Sequence, residues 1–415
     1  MRFHLNSVVY LAFSTFVLIA GLGVTADKQF EAARMLAEDL TPADTADVTN
    51  QHTSESTTPI LEIAATPVLG AIGPVDYPTG VNPLTGLQVD DPAVLERRPL
   101  VVKISNAPPL VRPQAGISEA DLVFEHYAEG GLTRFSAIFY SHAPERVGSI
   151  RSARLIDYEL VPMYRGLLAF SGASIGVEKR IYGSEEVEAR INGAGDVAPA
   201  GYVPPSEFAD KAYKGVLHGF PYYWRDETIP VPHNMFANVR ALWELAASEG
   251  HGQNPRLTGM AFHPDPPSGS SGPGTRADIR YRATRVQWTY NAVTGRYNRF
   301  SDGSGHFDAN TRQQVTAANV VIVFAGHYLT DIVESVWQGN VSWSVQITVW
   351  PEGDAILLRD GRRYDGRWIR AVREDLISLE TDEGEVLYLK PGNTWFQLVQ
   401  VPELQNPAEE WVVVE

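Results

Sequence analysis

The chain of 415 residues contains no cysteine. That excludes disulfides, thiolate zinc sites, a cysteine nucleophile and a lipid-bearing N-terminal cysteine. Basic residues are scarce: 34 Lys and Arg stand against 50 Asp and Glu, a formal net charge of −16. A nucleic-acid binder would carry a basic domain, so no nucleic-acid partner is expected. The P-loop, the dinucleotide fingerprint and the H-E-x-x-H zinc pattern are all missing, and no cofactor is expected. No internal repeat is visible. His306 and Asp308 in GSGHFD supply two ligand types without a third nearby, too few for a metal. They read as a hydrogen-bonded brace in a turn.

Long hydrophobic runs are absent except for one. Val8–Val24 (VVYLAFSTFVLIAGLGV) is uncharged, with Arg2 before it and Asp27 and Lys28 after it. Two readings fit. A cleavable signal peptide would end at the small-x-small triplet Val24-Thr25-Ala26. A signal anchor would stay, the run being at the short limit for spanning hydrocarbon. In both, Arg2 places the remainder outside the cytoplasm, and the membrane is the expected partner of Val8–Val24.

The length predicts two folded domains plus tails. Residues 1–26 are the signal or anchor. Residues 27–80, rich in Thr, Ser and Pro, are too poor in large apolar side chains to offset the entropy of ordering and read as a flexible spacer. Residues 81–253 mix short apolar strands (Leu100–Ser105, Asp121–Tyr127, Thr133–Tyr140, Leu167–Phe170) with helices expected over Ser152–Tyr164 and Phe236–Ser248. A Pro/Gly/Ser connector over 254–277 leads to a smaller β-rich domain, 278–402, and a tail, 403–415. Strands are expected there over Ile279–Tyr290 and Arg296–Phe300. Asp360-Gly361 and Glu383-Gly384 are hairpin signals. The expected fold class is α+β, a mixed α/β N-terminal domain plus a smaller β-rich C-terminal one.

Cationic charge is concentrated in one place. From Arg97 to Arg154 there are eight Lys and Arg against five Asp and Glu, whereas the rest of the chain has 26 against 45. A cationic island in an acidic protein points to an anion. If a helix starts at Ser152, Arg151 and Arg154 stand at its N-terminus, the wrong end for a cation. Either an external anion sits there, held by free N–H groups and arginine forks, or Glu119, Asp121, Glu125 or Glu129 supplies the charge internally. Candidate ligand contacts are Arg98, Asn106, Arg112, Gln114, Arg134, Arg151, Arg154, His233 and Asn234. Candidate catalytic groups are Glu125 and Glu129 as an acid/base pair or as arginine partners, His233 as a base or a structural loop histidine, and Ser174. Gly172-Ala173-Ser174-Ile175-Gly176 matches the G-x-S-x-G elbow of serine hydrolases, though small residues after a strand also make a plain turn.

These segments resemble the YerB-like family of bacterial envelope proteins. The resemblance is carried by RRPLVVKISN, RPQAGISEADLVFE, EGGLTRF, ERVGSIRSAR, His233-Asn234, RFSDGSGHFD and LKPGNTWFQLV, spread from Asn82 to Val399. It implies an N-terminal mixed domain, a C-terminal β-rich domain and attachment to the outer face of the membrane; it implies no reaction. Relatives usually have Asp where this chain has Ser105, tend to keep Gly-x-Ser around Ser174 but not Gly176, and are in many cases lipoproteins, for which Val8–Val24 must substitute here. The expected function is binding of an anionic, phosphate-bearing envelope glycan or lipid. The alternatives are a phosphotransferase or hydrolase acting on phosphate-linked glycans or lipids, and a serine hydrolase using Ser174.

Overall fold

The computed structural model describes residues 70–183 and 205–415. The Val8–Val24 run and the spacer up to residue 69 lie outside them. Among the described residues, no helix is long and apolar enough to cross a membrane. In chain order the main strands are β1 (Leu100–Ser105), β2 (Leu122–Ala128), β3 (Leu132–Phe139), β4 (Leu167–Phe170), β5 (Ala212–Lys214), β6 (Arg276–Tyr281), β7 (Thr284–Asn291), β8 (Arg296–Ser301), β9 (Asn319–Trp337), β10 (Asn340–Thr348), β11 (Glu352–Arg359), β12 (Arg362–Ile369), β13 (Ser378–Glu380), β14 (Thr394–Gln400) and β15 (Glu410–Val414). The helices are α1 (Asp157–Met163), α2 (Ile175–Tyr182), α3 (Gly215–His218) and α4 (Val239–Ser248). The fold is strand-rich α+β, as expected.

One large mixed sheet runs β13-β12-β11-β9-β14-β2-β3-β1-β4-β5. Its centre joins the two halves of the sequence: β2 pairs in parallel with β14, setting Phe124 beside Phe396 and Glu125 beside Gln397. The two phenylalanine rings stack at 4.5 Å. Alternate residues supply opposite cores, as a pleated strand requires. Val101, Phe124, Ile138, Val321 and Phe396 face one core; Val102, Val123, Phe135, Ile322 and Trp395 face the other. Burial on both faces explains the continuous apolar runs. The second core is closed by the sheet β8-β7-β6-β15, through Ile279, Val286, Trp288 and Tyr297.

Several expectations need revision. The helix expected over Ser152–Tyr164 starts only at Asp157, because the preceding backbone is bonded elsewhere. Arg151 N donates to Lys103 O at 2.9 Å and Ala153 N to Gly172 O at 2.8 Å. Pro162 lies inside α1, and Tyr158 O, which a proline cannot pair, accepts from Arg373 at 2.6 Å. Phe236 and Ala237 belong to a short strand, Met235–Ala237, and α4 begins after Asn238, whose Oδ1 caps Ala241 N at 3.0 Å. Ile279–Tyr290 is not one strand but parts of β6 and β7, turned at Arg282-Ala283 with Arg282 at φ 46°. Residues expected in the tail form β15, paired with β6. Residues expected at the end of the spacer pack on 260–262, with Ile72 N to Phe262 O at 2.8 Å and Tyr77 Oη to Met260 O at 2.6 Å.

Candidate functional site

An open cleft of about 340 Å³ lies where the β2–β3 turn meets the second sheet; Arg112, Glu129, Thr133, Arg134, Arg151 and Asp302 are its polar walls. Its apolar wall includes Pro108, Leu132 and Ala283. The turn approaches that wall through Gly130-Gly131, at φ 78° and 77°. A Cβ on Gly131 would stand 2.8 Å from Arg282 Cβ and 2.9 Å from Ala283 N, so glycine is required both for its backbone angle and for the close approach.

Three of the expected arginines meet in this cleft. Arg134, on β3, donates to Ser152 O at 2.9 Å. Arg151 reaches Pro232 O at 3.5 Å, and its Nε is buried without a partner. Among the described residues, neither has a carboxylate at ion-pair distance. Burial, and then the charge of Arg154, push Arg134 down to about 9 and lower Arg151. Both still carry their charge at neutral pH. Arg112 is differently placed: Nη1 is paired with Asp302 at 2.7 Å and Nε binds Asn106 Oδ1 at 3.2 Å.

Arg154 does not serve the cleft. Its guanidinium is held at 2.7 Å by both Glu129 and Glu334, and it lies before α1 rather than in its first turn. Internal pairing therefore accounts for this arginine, with Glu129 as one foreseen partner. Glu334, from the irregular middle of β9, had no signal in the sequence. Glu334 also accepts from Ser174 Oγ at 3.0 Å and Ser344 Oγ at 2.7 Å. Ser174 is thus buried against a carboxylate, and among the described residues no histidine is bonded to it, so the elbow lacks its base. Gly176 serves packing: a Cβ there would meet Ile332 Cγ2 at 2.5 Å.

Glu125 is not the acid/base partner of Glu129. It is fully buried: Oε2 binds Arg299 Nη2 at 2.7 Å, while Oε1 accepts from Thr133 at 2.8 Å and Asn106 at 3.2 Å. Arg299 continues to His306 Nδ1 at 2.7 Å, and His306 Nε2 reaches Gln114 Oε1 at 2.6 Å. Burial and Arg299 push His306 well below its ordinary range. It is neutral, accepting at Nδ1 and donating at Nε2. Asn106 and Gln114 are therefore supports that tie the first half of the chain to the second. Asp308 does not brace His306 directly; it accepts from the backbone N–H of Ser118 at 2.8 Å and of Asn310 at 2.7 Å.

The remaining candidates lie elsewhere. Arg98 is spent on Arg165 O at 2.6 Å and His251 O at 3.1 Å. Asn234 Oδ1 accepts from Arg225 at 2.7 Å. His233 sits behind Arg151, its O accepting from Ser149 Oγ at 2.6 Å; burial and Arg151 lower its pKa. Sequence reasoning missed a further buried cluster. Lys103 on β1 binds Asp157 at 2.8 Å, His126 Nε2 at 2.8 Å and Ser136 Oγ at 2.6 Å. Burial pushes Lys103 down to about 8. A lysine inside the apolar run LVVKIS was the available signal.

Comparison with known proteins gives concordant matches. The N-terminal domain of the protein-of-unknown-function family DUF3048 matches residues 84–252, and its C-terminal domain matches 277–396. YerB of Bacillus subtilis (strain 168), a candidate lipoprotein, is 29% identical over 320 residues, 76% of this chain and 85% of YerB. The crystal structure of the Bacillus subtilis YerB protein superposes with a TM-score of 0.62 at 26% identity, covering 80% of this chain and 99% of that one.

Proposed function

This chain belongs to the YerB-like DUF3048 family, and on that premise we propose that it is a membrane-attached, extracytoplasmic envelope protein whose cleft binds a phosphate-bearing glycan or lipid head group. One observation carries the reading. Arg134 and Arg151 line an open cleft and reach backbone carbonyls but no carboxylate, while Arg112, Arg146 and Arg154 are ion-paired and Arg97 and Arg98 bind carbonyls outside the cleft. Cations brought together in a half-buried place are repelled by each other and by their own desolvation. A phosphate between them relieves both and satisfies their forks.

Arg112 is the adjustable element. Its partner Asp302 is part-exposed, so a phosphate can share or take over that guanidinium. The candidate-lipoprotein character of YerB supports a place at the membrane surface. Phosphotransfer has less support, because Glu129 is already engaged by Arg154 and Glu125 is sealed off.

Calorimetric titration of pyrophosphate into the protein tests the reading. Binding is expected to weaken roughly 10-fold in Arg151→Ala and in Arg134→Ala, the scale of one charge-assisted hydrogen bond. It should change little in Arg98→Ala. No heat of binding to the unaltered protein, at low salt, overturns it.

A further inference from the structure

A second surface feature adjoins the cleft. Four large apolar side chains between residues 216 and 231 stand in solvent: Val216 is 57% exposed, Leu217 72%, Phe220 84% and Val231 69%. Among the described residues, the other large apolar side chains more than half exposed are Val75, Val293, Leu329, Trp350 and Val372, which come from five separate segments. Monomeric proteins rarely gather exposed apolar groups, and such patches mark contacts.

The four side chains are carried by a firmly held support. α3 carries Val216 and Leu217, and the chain then turns at Gly219, with Tyr223 N bonded to Gly219 O at 2.7 Å. The strand Tyr223–Arg225 pairs with Met235–Ala237, and Val231 lies on the loop joining them. Gly215 anchors α3 onto this ribbon so closely that a Cβ would fall 2.6 Å from Met235 Sδ. The buried Tyr223 donates to Tyr213 O at 2.6 Å. The apolar groups thus project from a fixed base.

We propose that the 216–231 segment is a lipid-contact element: Val216, Leu217, Phe220 and Val231 enter the acyl border of the bilayer while Arg151 meets the phosphate plane. Two observations favour lipid over a protein partner. Val231 lies beside a guanidinium that has no carboxylate partner, since Arg151 contacts the carbonyl of Pro232, next to Val231; a bilayer interface likewise sets phosphate beside hydrocarbon. The similar YerB is a candidate lipoprotein, so a membrane surface is the partner closest to hand. The membrane attachment assumed here belongs to the proposed function; the apolar element is tested separately from the cleft.

The absence of cysteine makes any single introduced cysteine unique. The full chain is reconstituted into phosphatidylglycerol/phosphatidylethanolamine vesicles with an NBD fluorophore on Leu217→Cys, Phe220→Cys or, as control, Val293→Cys. At 217 and 220 the emission should shift to the blue and be quenched by nitroxide placed on the acyl chains; at 293 it should do neither. Labels at 217 and 220 as aqueous as the one at 293 overturn the proposal. So does a blue shift that is present without vesicles and indifferent to the nitroxide, which would mean a protein contact. Arg134→Ala, which disables the cleft alone, should leave the emission at 217 and 220 unchanged, so failure of either reading is recognised independently.

Discussion

Arg151 and Arg154 stand three residues apart and have opposite roles. Arg154 neutralises two buried carboxylates, so Arg154→Ala leaves Glu129 and Glu334 uncompensated and should destabilise by about 3–5 kcal/mol. Arg151 has no such duty, and Arg151→Ala should change stability by less than about 0.5 kcal/mol. Urea unfolding of the two variants checks the contrast. The sequence shows the arginines and the glutamates but not who pairs with whom. Glu334 lies 180 residues from Arg154 along the chain, and no local pattern announces it. The serine of the G-x-S-x-G match is a different lesson. Its glycine is explained by the approach of Ile332, and Ser174 is held by Glu334. A fluorophosphonate probe should leave Ser174 unlabelled; labelling abolished by Ser174→Ala would contradict this.

At the level of elements, the strands were legible because they are short apolar runs buried on both faces. β1 and β4 fall where the hydrophobic pattern places them. The helix at Ser152 was misplaced because local spacing does not register that Arg151 and Ala153 bond across to Lys103 and Gly172. The β6–β7 turn was missed because Arg282-Ala283 lacks the usual turn residues. Lys103, on β1, sets a pH dependence. Burial lowers its pKa from 10.5 to about 8, so between those values the unfolded chain binds the extra proton and stability rises with pH. Above about 10 the trend reverses. Tyr77, Tyr140 and Tyr164 are raised by burial and keep their protons when folded, whereas unfolded tyrosines ionise. Thermal melts from pH 7.5 to 10 should show a rise that shrinks in Lys103→Met, Arg134, lowered to about 9, supplying the remainder.

For the molecule as a whole, two family segments are recognisable in sequence, yet β2 and β14 are neighbours in one sheet, and the buried Glu125–Arg299 pair crosses between the segments. The compact unit Thr66–Glu415 should therefore unfold in one cooperative calorimetric transition. Two resolved transitions would contradict that continuity. The cleft shares this composite character: Arg112, Arg134 and Arg151 come from the first segment, and Ala283, Thr284 and Asp302 from the second. The first set was visible as a cationic block. The second was not, because nothing in a lone Asp302 at a turn reveals that it will face Arg112. The most direct measurement is calorimetric titration of pyrophosphate into the unaltered protein and into Arg151→Ala, each at two salt concentrations. The proposed function predicts saturable binding that weakens with salt and falls roughly 10-fold in the variant. Equal affinity in both proteins, or none in either, would contradict it.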